Sequence, residues 1–189
     1  MIIAISGAHG SGKSEIGKRL AENLTLTYYS TGNAFRQLAK DRKMTLEEFT
    51  KHVENHPEID KELDNLIINV AKKGNAVIES QLSGYLLKDI ADFKILLKCP
   101  LDIRVKRIAE RDKNTDNNKK LKDENYYNEK FRETRIREDS EHERFKILYN
   151  IDLNDQKRLK EIFDLIIDTE HLSIEQVLNK ILTKIKKKK

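Results

Sequence analysis

The chain has 189 residues, no tryptophan and two prolines, and its 38% hydrophobic and 37% charged residues are typical of a soluble, helix-rich protein. This length predicts one domain with its own core over residues 1–189. The sequence contains no run of 18 apolar residues, which a membrane-spanning helix would need, and its first residues lack the basic region of a secretory signal. With Cys99 as its single cysteine, the chain cannot form an internal disulfide, so we expect a cytoplasmic protein without membrane contacts.

The formal net charge of +5 comes from the C-terminus. Lys184 and residues 186–189 supply five lysines, and the remaining 32 basic residues match the 32 acidic ones. Overall basicity therefore does not indicate a nucleic-acid-binding surface. We interpret the tail as a solvated helix end, with a weak contact to RNA or a membrane as the alternative. We expect a monomer.

Five short apolar runs predict β-strands, and helical patterns lie between them. This alternation indicates an α/β fold with a parallel sheet and helices on both faces. Thr45 and Glu48 form a capping box before one predicted helix, and Ser173 with Gln176 caps the last. The predicted strands cover residues 2–6, 27–30, 76–80, 93–99 and 163–168.

A glycine-rich segment follows the first predicted strand. Its sequence, G-A-H-G-S-G-K-S, fits the pattern G-x-x-x-x-G-K-[ST] and precedes a predicted helix. Such a loop directs backbone N–H groups at phosphates, while Lys13 reaches the β- and γ-phosphates and Ser14 ligates Mg²⁺. The side chain of His9 is free to point outward from the loop, with a catalytic role as the alternative. The residues predicted to contact ATP are Gly7, Ala8, His9, Gly10, Ser11, Gly12, Lys13, Ser14 and Glu15.

Two histidines could suggest a metal site, but the pattern is incomplete. His52 and His56 have i, i+4 spacing, yet no third ligand is evident and Pro57 interrupts the helix. Residues 112–129 are rich in asparagine, aspartate and lysine, which predicts a surface excursion. A charged helix with several arginines follows it.

Arginines cluster on two predicted helices, and phosphoryl transfer needs cations around two polyanions. In one helix they share a face at i, i+3 and i+7. The alternative is that they pair with carboxylates such as Asp102, Glu110 or Glu138. The two clusters comprise Arg104, Arg107 and Arg111 in the first helix, and Arg137, Glu141 and Arg144 in the second.

Six segments together resemble one known family, the cytidylate kinases, in their short archaeal form. They are "ISGAHGSGKS", "YYSTGNAFRQLA", "GNAVIESQLSGY", "ADFKILLKCPLDIRVKRIAERD", "REDSEHERFKILYNID" and "FDLIIDT", in family order from residue 3 to about 169. The resemblance implies a P-loop core of strand order 2-3-1-4-5. It also implies a helical nucleoside-monophosphate-binding segment at about 31–72 and a lid at about 112–147.

The resemblance also implies residue roles. Ser30, Gly32 and Arg36 correspond to the turn and the arginine that bind the monophosphate, with Gln81 beside them. Glu141 corresponds to a lid residue that closes on the substrate sugar. The residues implied to be catalytic are Lys13, Arg107, Arg111, Arg137 and Arg144.

The expected activity is transfer of the ATP γ-phosphoryl group to CMP, and to dCMP, with Mg²⁺ as cofactor. Two positions depart from the family pattern: Gln81 stands where an arginine is frequent, and the helix around Asn65 lacks another arginine. Both lie on the monophosphate side, so AMP or UMP remain alternative acceptors. A non-catalytic factor that binds ATP or RNA is the alternative of another class.

Overall fold

The computed structural model describes residues 1–115 and 124–188, without side chains for residues 113–115. The strands are β1 (Ile2–Gly7), β2 (Thr27–Ser30), β3 (Ala76–Glu79), β4 (Phe93–Lys98) and β5 (Leu165–Asp168). The helices are α1 (Lys13–Leu24), α2 (Thr31–Asp41), α3 (Leu46–Glu54), α4 (Pro57–Lys73), α5 (Ser83–Leu86), α6 (Leu101–Thr115), α7 (Glu124–Tyr149), α8 (Gln156–Ile162) and α9 (Ile174–Lys188). In this described part, no helix is long and apolar enough to span a bilayer.

The five strands form one parallel sheet of order β2-β3-β1-β4-β5, which confirms the predicted order. Strand β1 lies at the centre, where Ile3 is opposite Val77 of β3 and Phe93 of β4. All six β1 residues are buried, as expected for a strand covered on both faces. The carboxyl end of β1 thus opens directly into the glycine loop.

Apolar side chains cover both faces of the sheet. On one face, Ile16 and Leu20 of α1 and Ile181 of α9 pack with the strands. On the other, Ile67 of α4 packs with Leu87, which follows α5. The predicted helices on both faces are therefore confirmed, and the hydrophobic effect holds them against the strands.

Helices α2, α3 and α4 share a separate apolar cluster. Its centre is Phe49 and Val53, both fully buried, with Phe35 and Leu63 packed around them. Phe35 and Phe49 have ring centroids 4.7 Å apart. This segment is thus packed around its own core beside the sheet.

Several local predictions are confirmed by the contacts at helix ends. Thr45 and Glu48 form the reciprocal capping box of α3. Ser173 and Gln176 exchange the corresponding hydrogen bonds before α9. Pro57 begins α4, the position in which its missing N–H has no consequence.

Two predicted segments have boundaries that differ from the structure by more than one residue. Strand β5 begins at Leu165, because Phe163 is the C-cap of α8 and its ring packs against α5. A Cβ on Gly84 of α5 would lie 2.1 Å from that ring. The predicted excursion at 112–129 is helical at both margins, since α6 continues to Thr115 and α7 begins at Glu124. Residues 116–123 of that prediction lie outside the described residues.

The lysine tail is not entirely solvated. Lys188 Nζ donates to Asp164 Oδ1 at 2.8 Å and to the Asp92 carbonyl at 2.9 Å. It also lies 5.4 Å from the centroid of the Phe93 ring. The end of α9 is therefore attached to the sheet at this lysine.

Candidate active site

The glycine loop opens into a cavity of about 1000 Å³ at the carboxyl end of the sheet. Gly10 in this loop has φ +76°, and a Cβ there would lie 2.5 Å from the Arg104 carbonyl oxygen, so only glycine fits. The polar residues that line the cavity and bear on its chemistry are His9, Lys13, Ser14, Arg36, Asp60, Asp64, Glu79, Gln81, Arg111, Arg137, Glu141 and Arg144. The cavity thus joins the loop, α2, α4, the end of β3, α6 and α7.

Lys13 is the first residue of α1 and faces this cavity. Its Nζ donates to the carbonyl oxygen of Ala8, 2.8 Å away, on the other side of the loop. Burial lowers the pKa of the Lys13 ammonium, while the carboxylates of Glu79 and Glu141 oppose that shift. The loop therefore holds its cation where phosphate oxygens would replace the backbone carbonyl as the acceptor.

Glu79 is a site residue that the sequence analysis did not identify. It ends β3, is 3% exposed, and its Oε1 accepts hydrogen bonds from Ser14 Oγ at 3.2 Å and Ser30 Oγ at 2.5 Å. Within the described residues, its Oε2 is buried and has no hydrogen-bond partner. The only feature of the sequence that could have identified Glu79 is its position as an acidic residue at the end of the apolar strand β3. In the sheet, β3 lies next to β1, the strand that leads into the glycine loop.

His9 points into the cavity, which corrects the expected outward orientation. Its Nε2 lies 2.6 Å from Glu141 Oε2 of α7 and 2.9 Å from Gln81 Nε2. The backbone N–H of His9 donates to Glu138 Oε1 at 3.2 Å, and its carbonyl accepts from Arg104. The reason is that α7 passes close to the loop and offers two carboxylates to it.

Glu141 is a buried anion among several cations. Burial by itself raises the pKa of its carboxyl, but His9 and Arg137 outweigh that effect and hold the pKa well below its usual range. Arg137 Nε donates to Glu141 Oε1 at 3.0 Å. Burial also lowers the pKa of His9, and the Glu141 charge opposes that shift.

Three arginines from different elements converge on the cavity: Arg36 of α2, Arg111 of α6 and Arg137 of α7, which we call the arginine cluster. Burial lowers the pKa of Arg36, and the charges of Arg111 and Arg137 lower it further. Arg36 donates to Asn33 at 2.7 Å, and the Arg137 guanidinium lies 5.3 Å from the centroid of the Phe35 ring. Positive charges that repel one another in this way favour an anion between them.

Two predicted arginines have other partners. Arg104 makes two hydrogen bonds to Glu138, at 2.5 and 3.1 Å, so the carboxylate-pairing alternative is correct for it. Arg107, which the resemblance implied to be catalytic, is not among the described residues that line the cavity. Its guanidinium donates to the carbonyl oxygen of Thr169 at 2.7 Å and to Thr169 Oγ1 at 3.1 Å. Arg107 therefore braces the loop after β5, because its side chain leaves α6 toward that strand.

Arg144 lines the cavity but is engaged with α4. Its Nε donates to Asp60 Oδ2 at 2.8 Å, and both side chains are 9% exposed. One turn further along α4, Asp64 accepts a hydrogen bond from the hydroxyl of Tyr149. Burial raises the pKa of Asp60, and the Arg144 charge opposes this. These contacts join α7 to the segment formed by α2, α3 and α4.

The described residues include no dedicated cage of metal ligands. Among the described residues, no group of three His, Cys, Asp or Glu side chains could hold an ion. His52 and His56 stack with ring centroids 4.0 Å apart, and His56 Nδ1 lies 2.8 Å from Glu58. The cavity itself combines several cations with a hydroxyl and one partly unpaired acid, a set suited to binding polyphosphates and orienting them.

Comparison with known proteins agrees with this geometry. Residues 3–146 match a family model described as an AAA domain. The chain is 42% identical over 187 residues to the cytidylate kinase of Staphylothermus marinus, covering 99% of this chain and 97% of that protein. It is 40% identical over 182 residues to the cytidylate kinase of Methanocaldococcus jannaschii, covering 95% and 94%.

Solved structures show the same fold at low sequence identity. The shikimate kinase from Acinetobacter baumannii, solved with shikimate, has a TM-score of 0.60 at 19% identity and covers 100% of this chain and 94% of its own. That from Aquifex aeolicus has a TM-score of 0.56 at 15% identity and covers 99% and 97%. Both have an α/β arrangement similar to that described above.

Proposed function

Since the chain belongs to the cytidylate kinase family, we propose that it transfers the γ-phosphoryl group of ATP to CMP, and also to dCMP, giving ADP and the corresponding diphosphate. The observation that carries the proposal is the cavity that joins the glycine loop to the arginine cluster. The loop binds the donor, and helices α2, α3 and α4 hold the acceptor.

Charge supports this assignment of the two nucleotides. A donor triphosphate and an acceptor monophosphate repel each other, so their approach needs cations between them. Lys13 stabilises the transferring phosphoryl group from the loop, and Arg111 and Arg137 reach the same group from α6 and α7. Arg36 orients the acceptor phosphate. Arginine suits these roles because its planar guanidinium donates two parallel hydrogen bonds to a phosphate. No protein nucleophile is required, since a phosphate oxygen of the acceptor attacks directly.

The residues present fit a magnesium ion bound with the donor. Ser14 Oγ and the unpaired Glu79 Oε2 offer oxygen ligands next to the loop, directly or through water. When bound, Mg²⁺ neutralises charge that develops on the bridging and terminal phosphate oxygens. Glu79 meanwhile accepts hydrogen bonds from Ser14 and Ser30, and so links the donor loop to the turn on the acceptor side.

The two departures from the family pattern differ in importance. Asn65 is exposed on α4 and does not belong to the described cavity lining, whereas Gln81 lines the cavity and contacts Glu141. If base choice differs from the family, Gln81 is therefore the residue expected to cause the difference. Ser30 caps α2, and Gly32 and Arg36 lie in the first turns of that helix, which we assign to the acceptor side. The Arg36 guanidinium lies 3.6 Å from the position of a Cβ on Gly32.

A coupled ADP-release assay tests the proposal. We would supply ATP and Mg²⁺ with CMP, dCMP, UMP, AMP or GMP, and measure kcat/KM for each acceptor. Preference for CMP and dCMP is the expected result. Preference for another monophosphate would change the assigned acceptor, and no turnover with all five would refute kinase activity.

A variant of Glu79 separates the magnesium role from the fold. Glu79→Gln keeps an acceptor for the two serine hydroxyls but removes the negative charge. We expect it to raise the Mg²⁺ concentration needed for half-maximal rate, with an unchanged thermal unfolding curve. An unaltered Mg²⁺ dependence would remove Glu79 from the proposed site.

A further inference from the structure

His9 belongs to the glycine loop, which binds the donor, but its contacts indicate a second role on the acceptor side of the cavity. Resting on the function proposed above, we infer that His9 is a positioning residue for the acceptor: it fixes the Glu141 carboxylate and makes acceptor binding depend on the state of the donor loop. The inference follows from the hydrogen bonds of its ring and of its backbone.

The ring and Gln81 hold one oxygen of Glu141. His9 Nε2 lies 2.6 Å from Glu141 Oε2, and the Gln81 side-chain amide donates to the same oxygen. Arg137 Nε donates to the other oxygen at 3.0 Å. The side chain of Glu141 is 7% exposed and that of His9 is 21% exposed. The carboxylate is thus oriented by donors from three parts of the chain.

Glu141 faces the acceptor half of the cavity. Arg137, its neighbour one turn earlier, stacks on Phe35 of α2, and Arg144, three residues later, binds Asp60 of α4. A carboxylate in this position can accept hydrogen bonds from ribose hydroxyls. A rotation of Glu141 would remove that acceptor and break the contact of Glu141 with His9 of the glycine loop.

The backbone of His9 connects this carboxylate to the donor site. Its N–H donates to Glu138 at 3.2 Å and its carbonyl accepts from Arg104 at 2.8 Å, while Arg104 also binds Glu138. His9 is therefore attached to α7 through both its ring and its main chain. When donor phosphates rearrange the loop, the ring must move with it, and so must the hydrogen bond that orients Glu141.

Charge explains why an imidazole fits here. Glu141 remains ionised in a cavity that receives phosphates, so its orientation decides how far its charge lies from them. The His9 ring donates one directed hydrogen bond without adding a long flexible chain to the loop. His9→Ala would leave Arg137 and Gln81 as partners of Glu141 but remove the contact between its carboxylate and the glycine loop.

Steady-state kinetics of matched variants tests the inference. Hydrogen bonds to charged groups are worth enough to alter affinity by about 10- to 100-fold, so His9→Ala should raise KM for CMP by that amount. KM for ATP, measured with CMP well below its own KM, should change less than about twofold, because the backbone contacts of residue 9 remain. His9→Gln should recover part of the loss, since its amide can also donate to Glu141.

The matched control is His142→Ala. His142 also lies on a histidine–carboxylate contact, with its Nε2 3.0 Å from Asp152, but it is not among the described cavity residues. We expect it to leave both KM values unchanged. With KM for ATP measured at CMP concentrations well below the KM for CMP, equal increases in both KM values for His9→Ala would overturn the inference. So would a lower kcat with an unchanged KM for CMP.

Calorimetric titration tests the linkage directly. In the wild type, a non-hydrolysable ATP analogue should change the affinity for CMP, and His9→Ala should bring that coupling factor close to one. An undiminished factor in the variant would refute the linkage even if KM for CMP rose. If the wild type turns over CMP while His9→Ala behaves normally, only this inference fails. If the wild type neither binds nor phosphorylates CMP, the proposed function fails with it.

Discussion

Replacing Asp64 by asparagine should stabilise the protein above pH 6 and have little effect near pH 4. Asp64 lies on α4, accepts a hydrogen bond from Tyr149 and has the Asp60 carboxylate one turn before it. Burial raises the pKa of Asp64 from its ordinary value of 3.8 to about 6, the Tyr149 hydroxyl partly opposes this, and Asp60 adds to it. The folded protein therefore resists ionisation of this carboxyl.

The sign of the pH dependence follows from which state loses its proton first. Below pH 3.8 both the folded and the unfolded chain hold the proton, and Asp64 costs nothing. As the pH rises toward 6 the unfolded chain ionises first, which favours unfolding. Above the folded-state pKa the full cost is present, and a difference of about two pKa units corresponds to about 3 kcal/mol.

The asparagine side chain keeps an oxygen that accepts the Tyr149 hydrogen bond but has no proton to lose. We expect Asp64→Asn to raise the free energy of unfolding by up to about 3 kcal/mol at pH 8, falling toward zero at pH 4. Urea unfolding at a series of pH values measures the gain in stability at pH 8 and its decline toward pH 4. Glu62→Gln, on the exposed side of the same helix, is the matched control and should leave the curve unchanged. A stability difference for Asp64→Asn that is independent of pH would refute the reasoning.

Three further predictions concern the loop, the core and the tail. Lys13→Ala should lower kcat at least about 100-fold because a cation is lost where charge develops, and near-normal ADP release would contradict that role. Gly84→Ala should cost about 1–3 kcal/mol in urea unfolding because its Cβ would lie 2.1 Å from the Phe163 ring, and Phe163→Leu should recover part of the loss. Unchanged stability would exclude that contact. Deleting residues 186–189 should leave the rate of ADP release unchanged and abolish any salt-dependent affinity for RNA. Salt-dependent RNA binding by the truncated chain would contradict the assignment of that affinity to the tail.

The elements that sequence analysis predicted well depend on local patterns. The strands and helices follow from apolar runs alternating with helical periodicity, whereas the strand order was implied by the resemblance to cytidylate kinases. The capping residues of α3 and α9 are three residues apart in the sequence. The glycine loop is equally local, because its strand, its turn and its helix are contiguous. In each case the residues that make the contacts are close enough in sequence for their spacing to specify the geometry.

The contacts that the sequence did not predict join charged residues whose partners are distant in the sequence. Arg107 binds Thr169 across 62 residues, and Arg144 binds Asp60 across 84. The spacing of arginines in a helix shows only which face of the helix they share. It does not distinguish a surface arginine from one that binds phosphate or one in a buried ion pair. Glu79 was missed for the same reason, since its two serine partners belong to other elements.

Helix α7 combines these distant contacts, and its stability should therefore be linked to the site. Its polar residues do not form a solvated face alone: Glu138 binds Arg104 of α6, Glu141 binds His9 of the loop, and Arg144 binds Asp60 of α4. A helix with so little apolar periodicity depends on such bridges for its position. Each of these three contacts joins α7 to an element that lines the cavity. Ligands that shift the loop or α4 must therefore also change the free energy with which α7 packs against the rest of the protein.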